Sequence, residues 1–239
     1  MKYTNITFAL IAVLIVSLAS VAWYVFQNPE GRIHPQLVPP DSYWSTDDDD
    51  IYGKTGIVSI AGREFEIPIA YVDGNFQNGR KEDSVVLVYV LPGFKSPLEY
   101  TNKSERQALV LQGRMKGMIL EDPKNKAPLE KYIDLMTQMN RVGYPEENRE
   151  YGLERYPSPG PQGPYDRGAD DLYIERASNG SISSVVECSP LGRDVNPRCI
   201  HMFDDKGLRY QIRYPADELP NWQVQRQEAI SFIDAFEKD

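Results

Sequence analysis

The histidines of the chain are His34 and His201, so a catalytic triad would have to use His201. His201, Asp204 and Asp205 lie close enough in sequence to serve as metal ligands or as parts of a hydrolytic site. Because side chains alternate along a strand, His201 and Asp204 should project to opposite faces. No Gly-x-Ser-x-Gly sequence places a serine at a strand-to-helix corner. We therefore expect neither a metal site nor a serine hydrolase site around His201.

Other catalytic motifs are missing as well. Neither Gly-x-Gly-x-x-Gly nor Gly-x-x-x-x-Gly-Lys occurs, so no glycine-rich loop is predicted to hold a phosphate group. Carboxylates are abundant, and a pair that cleaves glycosides stays open because the required separation is a three-dimensional property. We expect a protein that is not an enzyme and that uses no cofactor.

The cysteines of the chain are Cys188 and Cys199, which flank a segment containing Pro190, Gly192 and Pro197. A zinc site usually takes four ligands, and a catalytic dithiol usually has Cys-x-x-Cys spacing. On the oxidising side of a membrane, a pair with this spacing is typical of a disulfide. Closing so short a loop stabilises a fold by about 2 to 3 kcal/mol on the chain-entropy model.

Residues 6–26, which begin at Ile6 and end at Phe26, contain no Asp, Glu, Lys, Arg or His. As an α-helix they would span roughly 31 Å, the thickness of a bilayer's hydrocarbon core. A cleaved signal peptide is the alternative, with small residues at Ala19 and Ala22. Its apolar region would be shorter than this one, so we favour an uncleaved transmembrane anchor.

Charge predicts the orientation of the anchor and the domains that follow. Lys2 precedes the apolar run, and the acidic residues 47–50 follow it, so the positive-inside rule makes the N-terminus cytoplasmic. We predict an anchor over residues 1–27, an extended proline-rich and acidic linker over 28–53, and one extracytoplasmic domain over 54–239.

The overall charge limits the class of partner. Lys and Arg number 26 and Asp and Glu number 35, which gives a formal net charge of −9. Nucleic acid binding needs clustered cations, so we expect no nucleic acid partner. An acidic surface favours encounter with a basic protein, although solubility alone would also account for it.

Hydrophobic patterns predict an α+β domain with a mostly antiparallel sheet covered by two helices. The continuous apolar run 84–91 predicts a central strand, and Pro128 and Asn221 mark the two helix starts, with Gly143 closing the first helix. Hairpins are predicted around residues 61–62, 178–180 and 205–207, as strands 57–60 with 63–71, 172–177 with 182–188, and 199–204 with 208–214.

Residues 144–171 form a long segment rich in proline, glycine and tyrosine. Loops of this length without structure of their own are uncommon in compact domains and are often functional, although mobility without function is an equal alternative. Tyrosine offers contact area with a polar tip at a small entropic cost. The candidate residues for partner binding are Tyr151, Tyr156, Tyr165, Asp170 and Asp171.

A set of features toward the C-terminus occurs in a familiar order. They are Tyr151-Gly152-Leu153, Leu172-Tyr173, Asn179-Gly180, Cys188, Cys199-Ile200-His201-Met202-Phe203, the strand from Tyr210 to Tyr214, and Leu219-Pro220-Asn221-Trp222. This order resembles small inner-membrane-anchored periplasmic proteins of Gram-negative bacteria, some of which are immunity proteins against type VI secretion effectors. The resemblance implies a binding protein in the periplasm.

These observations predict a membrane-tethered periplasmic protein that neutralises a secreted toxic effector by occlusion. The alternative is a structural or assembly component of an envelope complex. An envelope hydrolase that uses scattered carboxylates is a third hypothesis.

Overall fold

The computed structural model describes most of the predicted extracytoplasmic domain. The predicted anchor and linker lie outside the described residues, and so does Tyr165. No helix within the described ranges is long and apolar enough to cross a membrane. The described ranges are 54–72, 80–81, 83–99, 103–112, 114–147, 149–160, 169–192, 194 and 196–238.

The described strands form one large sheet and one small sheet. In chain order they are β1 (Thr55–Ile60), β2 (Arg63–Pro68), β3 (Arg80–Lys81), β4 (Ser84–Val90), β5 (Met115–Glu121), β6 (Arg149–Glu150), β7 (Leu153–Tyr156), β8 (Asp171–Arg176), β9 (Ile182–Cys188), β10 (Arg198–Asp205) and β11 (Leu208–Pro215). The large sheet has the order β4-β5-β11-β10-β9-β8-β7-β6, with every neighbouring pair antiparallel. The small sheet has the order β2-β1-β3. The predicted α+β class and antiparallel sheet are confirmed.

Helices pack on both faces of the large sheet. The described helices are α1 (Lys103–Leu111), α2 (Leu129–Gln138) and α3 (Trp222–Asp234). Ile233 of α3 and Phe65 of β2 belong to one core cluster with Tyr210 of β11. Leu129 of α2 and Ile174 of β8 belong to a second cluster. A sheet buried on both faces therefore separates two hydrophobic cores.

The two C-terminal hairpins follow the sequence pattern. Leu208, Tyr210, Ile212 and Tyr214 are buried in the same cluster as residues of α3, with the period of two that a strand requires. Lys206 and Gly207 both have positive φ, which suits the tight turn between β10 and β11. Cys188 and Cys199 lie directly opposite each other on β9 and β10 and form the predicted disulfide.

Two strand predictions were wrong in detail. Strand β2 ends at Pro68, and Ile69–Tyr71 form a 3₁₀ turn, because proline cannot donate to a ladder beyond it. Strand β4 was expected at the centre of the sheet but lies at its edge. Isolated β-bridges join Val72 to Leu87 and Lys95 to Val90 on the outer side of β4. Its apolar run is therefore covered without a full neighbouring strand.

Helix ends and helix number also differ from the prediction. Residues 103–111 form a third helix in addition to the two that were predicted. Helix α2 is followed by Asn140 at φ 53°, a left-handed position that stops it before Gly143. The side chain of Asn221 makes no capping bond to α3 and instead donates to Glu218.

Candidate functional site

The segment predicted as a long loop contains ordered strands at one edge of the large sheet. The N–H of Gly143 donates to the carbonyl of Pro157 at 2.7 Å, and the N–H of Glu146 donates to that of Arg155 at 2.8 Å. A side chain at position 143 would approach the Pro157 carbonyl to 3.2 Å, so glycine permits this close contact. We call residues 143–156 the acidic edge, because they carry four glutamates and two arginines.

The acidic edge turns back on itself at Tyr151 and Gly152. Both have positive φ, 54° and 82°, as a tight two-residue turn between β6 and β7 requires. Tyrosine rarely adopts this conformation, so the surrounding structure must hold it. The indole N–H of Trp222 donates to the Tyr151 carbonyl at 3.2 Å and fixes the turn to α3. The Tyr151 side chain remains 46% exposed.

Arg155 holds the base of the acidic edge through several carboxylates. Its guanidinium donates to Asp171 at 2.8 Å and lies 3.4 Å from Glu146 and 3.6 Å from Glu150. Asp171 also accepts the backbone N–H of Ser158 at 2.8 Å. The bond to Asp171 is the main reason that the pKa of Arg155 is raised. The ion pair therefore holds β7 against β8.

Apolar and acidic side chains are exposed beside this framework. Tyr144 is 90% exposed, and the nearby helix α2 exposes Leu135 and Met139 by 51% and 56%. Glu147 is exposed as well, and no ion pair joins it to another of the described residues. Protein interfaces often combine exposed aromatic side chains with charged groups that attract the partner.

The structure places the predicted binding residues in different environments. Tyr151 lies at the exposed turn, whereas Tyr156 is a half-buried strand residue that packs against the α2 cluster. Asp171 is buried in its ion pair, and Asp170 is half-buried. Tyr165 is outside the described residues. The structure thus places Tyr151 in the turn of the acidic edge, and Asp171 is joined to that edge by its ion pair with Arg155.

Sequence reasoning missed Tyr144, Leu135 and Met139 as surface residues. Met139 follows the last helical residue of α2 and faces solvent. Leu135 lies off the apolar stripe of α2, and this position in the helical pattern indicates that its side chain is exposed.

His201 lies in the core and not at the acidic edge. It shares a 2.5 Å hydrogen bond with Ser184, and both side chains are fully buried. Burial is the main cause that lowers the pKa of His201 to about 3, with Arg226 adding to it. Its Nδ1 atom has no partner within the described part of the chain, and a triad needs a carboxylate there. No group of possible metal ligands occurs among the residues that the structure describes.

The comparisons with known proteins give a fold likeness. No family model and no curated protein matches the chain. An immunity protein of the type IV secretion system of Stenotrophomonas maltophilia is similar in structure, with 17% identity and a TM-score of 0.53 over 78% of this chain and 94% of that one. The iron-regulated outer membrane lipoprotein FrpD of Neisseria meningitidis gives a TM-score of 0.48 at 11% identity over 77% of this chain and 93% of that one. The first likeness shows a shared α+β fold.

Proposed function

We propose that the chain is an immunity-type protein that binds a secreted toxic effector and blocks its active cleft. The anchor at residues 6–26 would hold it in the inner membrane, with the folded domain in the periplasm where such an effector acts. It works by binding and not by turnover. The observation that carries this proposal is the acidic edge, where exposed aromatic side chains project from a backbone that is hydrogen-bonded to the large sheet.

The geometry of the acidic edge supports a binding role. Affinity is lost when interface segments must be ordered on binding, and this segment is already ordered by the contacts of Gly143, Arg155 and Trp222. Tyr144 and Tyr151 supply exposed rings with polar tips. Glu147 and its neighbours would steer a basic partner toward these rings.

The fold likeness gives independent support for this class of function. The similar protein of Stenotrophomonas maltophilia is itself an immunity protein, of a type IV system. The order of features in the present sequence resembles proteins associated with type VI effectors. We propose type VI delivery, with the type IV route as the alternative.

The test is copurification of the full chain from solubilised membranes together with the product of the adjacent reading frame. We expect a single toxin-like protein to be captured. The variant Tyr144→Ser with Glu147→Lys should weaken capture at least about tenfold, because it removes a central ring and reverses a steering charge. Glu228→Lys is the matched control, since Glu228 is an exposed glutamate on α3.

Equal capture by the double variant and the control, with melting temperatures unchanged, would contradict the role of the acidic edge. Capture of several envelope proteins and no toxin would instead favour an assembly component. Turnover of peptidoglycan or lipid by the purified chain would support the hydrolase hypothesis and refute inhibition by binding.

A further inference from the structure

Helix α2 has a wider apolar stripe than the large sheet covers. The side chains of α2 that pack in the second core cluster are Leu129, Tyr132, Ile133 and Met136. At about 100° per residue, they occupy an arc of roughly 100° around the helix. Leu135 and Met139 continue this arc by about 60° on the side of Tyr132, and yet they are 51% and 56% exposed. The apolar surface that the fold leaves uncovered therefore lies on one flank of α2.

The orientation of α2 on the sheet is fixed by polar contacts. On the flank away from Leu135, the carboxylate of Glu130 accepts the N–H of Ile182 at 3.1 Å. The hydroxyl of Tyr132 donates to the carboxylate of Glu187 on β9. These bonds prevent α2 from turning its exposed apolar flank toward the sheet. We call Leu135 and Met139 the α2 ridge.

The α2 ridge is connected to the acidic edge by a fixed turn. The N–H of Arg141 donates to the carbonyl of Met136 at 2.9 Å, and Val142 is buried in the same cluster as α2. Tyr144 follows Met139 by five residues, so the two lie within about 18 Å of each other. A standard interface buries roughly 800 Å² on each partner. One partner can therefore cover the α2 ridge and Tyr144 together.

The size of this surface fits a different protein better than a second copy of the chain. Leu135, Met139 and Tyr144 together expose on the order of a few hundred Å², the size of functional patches on monomers. Obligate homodimers bury roughly 2,000 Å² or more in total. The surface is large enough for the apolar centre of a standard interface and too small for a stable homodimer.

The charges of α2 do not fit a lipid surface. Helices that lie on membranes carry many Lys and Arg residues on their polar face. The sequence of α2 has Lys131 as its cation, together with the acids Glu130 and Asp134. A bilayer with anionic headgroups would not attract such a helix. The α2 ridge therefore fits a protein surface.

Charge beside Tyr144 indicates the character of that protein. Glu146 and Glu147 are exposed two and three residues after Tyr144, and Arg141 is exposed before it. Arg155 lies 3.4 Å from Glu146, whereas no ion pair joins Glu147 to a residue that the structure describes. A matching surface has an apolar groove with Lys or Arg at the end that meets Glu147.

We propose that the α2 ridge inserts into an apolar groove of the effector, and that a Lys or Arg at the rim of this groove pairs with Glu147. The inference rests on the proposed immunity function and names the chemistry of the surface that the effector offers. Little ordering is needed on binding, because the helix and the turn after it are already fixed. Salt screens the charge pair but not the apolar contact, so the two contributions can be separated.

The experiment measures capture of the effector by the full chain in solubilised membranes at about 0.1 M and about 1 M sodium chloride. Leu135→Gln with Met139→Gln removes apolar area, keeps good helix formers and adds no charge. This double variant should weaken capture at least about tenfold at both salt concentrations. Glu147→Lys should weaken capture at the lower concentration, and its defect should shrink at the higher one, where the Debye length is about 3 Å.

The matched control is Val224→Gln with Leu191→Gln. Both side chains are exposed aliphatic groups, at 53% and 69%, and both lie outside α2 and the acidic edge. The control should capture the effector as the wild type does. Met139→Leu, which keeps the side chain apolar and of similar volume, should also retain capture. The melting temperatures of all variants should stay near that of the wild type, because surface substitutions change stability little.

The outcomes separate this inference from the immunity proposal. If the wild type captures the effector and the double variant of the α2 ridge captures it equally well, this inference is overturned and the immunity proposal stands. A defect of that variant that disappears at about 1 M salt would also overturn the apolar contact. A wild type that captures no toxin-like protein refutes the immunity proposal and this inference with it.

Chemical cross-linking of the full chain in intact membranes tests the second copy as the occupant. We expect the wild type and the double variant of the α2 ridge to give the same cross-linked products. Cross-links between copies that the double variant loses, with capture of the effector unchanged, would assign the α2 ridge to a homodimer and overturn the proposal.

Discussion

The acidic edge and the buried core around His201 treat polar groups in opposite ways. At the acidic edge, Arg155 is shared among Asp171, Glu146 and Glu150, so its charge is neutralised within the fold. In the core, His201 is fully buried, shares a hydrogen bond with Ser184, and has no partner for its Nδ1 atom among the described residues. Paired charges hold elements together, whereas a buried imidazole near the cation Arg226 resists protonation. The following predictions test this difference in order of expected size.

The largest effect should come from Asp171. Asp171→Ala removes a buried carboxylate that accepts bonds from Arg155 and from the N–H of Ser158, so it should lower the free energy of unfolding by about 3 kcal/mol. Denaturation in urea measures the change. Glu147→Ala, at an exposed glutamate of the same edge, should change it by less than about 0.5 kcal/mol. Equal effects of the two variants would break the distinction between paired and free acids.

Lowering the pH should destabilise the fold through the buried side chain of His201. His201 is buried with a pKa of about 3, against 6.5 in the unfolded chain, so the unfolded state binds more protons below pH 6.5. Stability should therefore fall as the pH drops, by about 2 kcal/mol between pH 7 and pH 5. His201→Gln should flatten this dependence, whereas His34→Gln should retain it. An unchanged profile in His201→Gln would assign the acid sensitivity elsewhere.

Tyr151 should show that a residue used for binding can reduce stability. Asparagine tolerates positive φ better than tyrosine does, so Tyr151→Asn should raise the free energy of unfolding by about 0.5 to 1 kcal/mol. It should also weaken capture of the partner, because an exposed ring is lost. Tyr144→Asn, at an exposed tyrosine for which no positive φ is found, should weaken capture without stabilising the fold. If Tyr151→Asn is more stable than the wild type and still captures the partner fully, Tyr151 is not part of the interface.

Much of the fold follows from local patterns in the sequence. The alternation over β11 and the turn at Lys206 and Gly207 predict one hairpin, and Pro128 predicts the start of α2. Each of these predictions depends only on residues that are close in the sequence. The strand alternates with a period of two, the turn needs positive φ, and proline fixes its own φ. The disulfide was predictable from the cysteine spacing and the expected oxidising compartment, and the structure places the two cysteines opposite each other.

The features that the sequence did not predict depend on residues far apart in the chain. The β6–β7 turn was missed because Tyr151 is not a usual residue for positive φ, and contacts with Trp222 and Arg155 hold the hairpin. The edge position of β4 was missed because a continuous apolar run also fits an edge strand with bridged cover.

The hydrogen bond from Trp222 to Tyr151 gives the protein a built-in optical reporter. The other tryptophans are Trp23 and Trp44, so replacing both with phenylalanine would leave one indole, and its N–H touches the turn of the acidic edge. Indole emission responds to the polarity and hydrogen bonding around the ring. A molecule that binds at Tyr151 would thus change the emission wavelength and intensity of Trp222 in the C-terminal helix, without any attached dye.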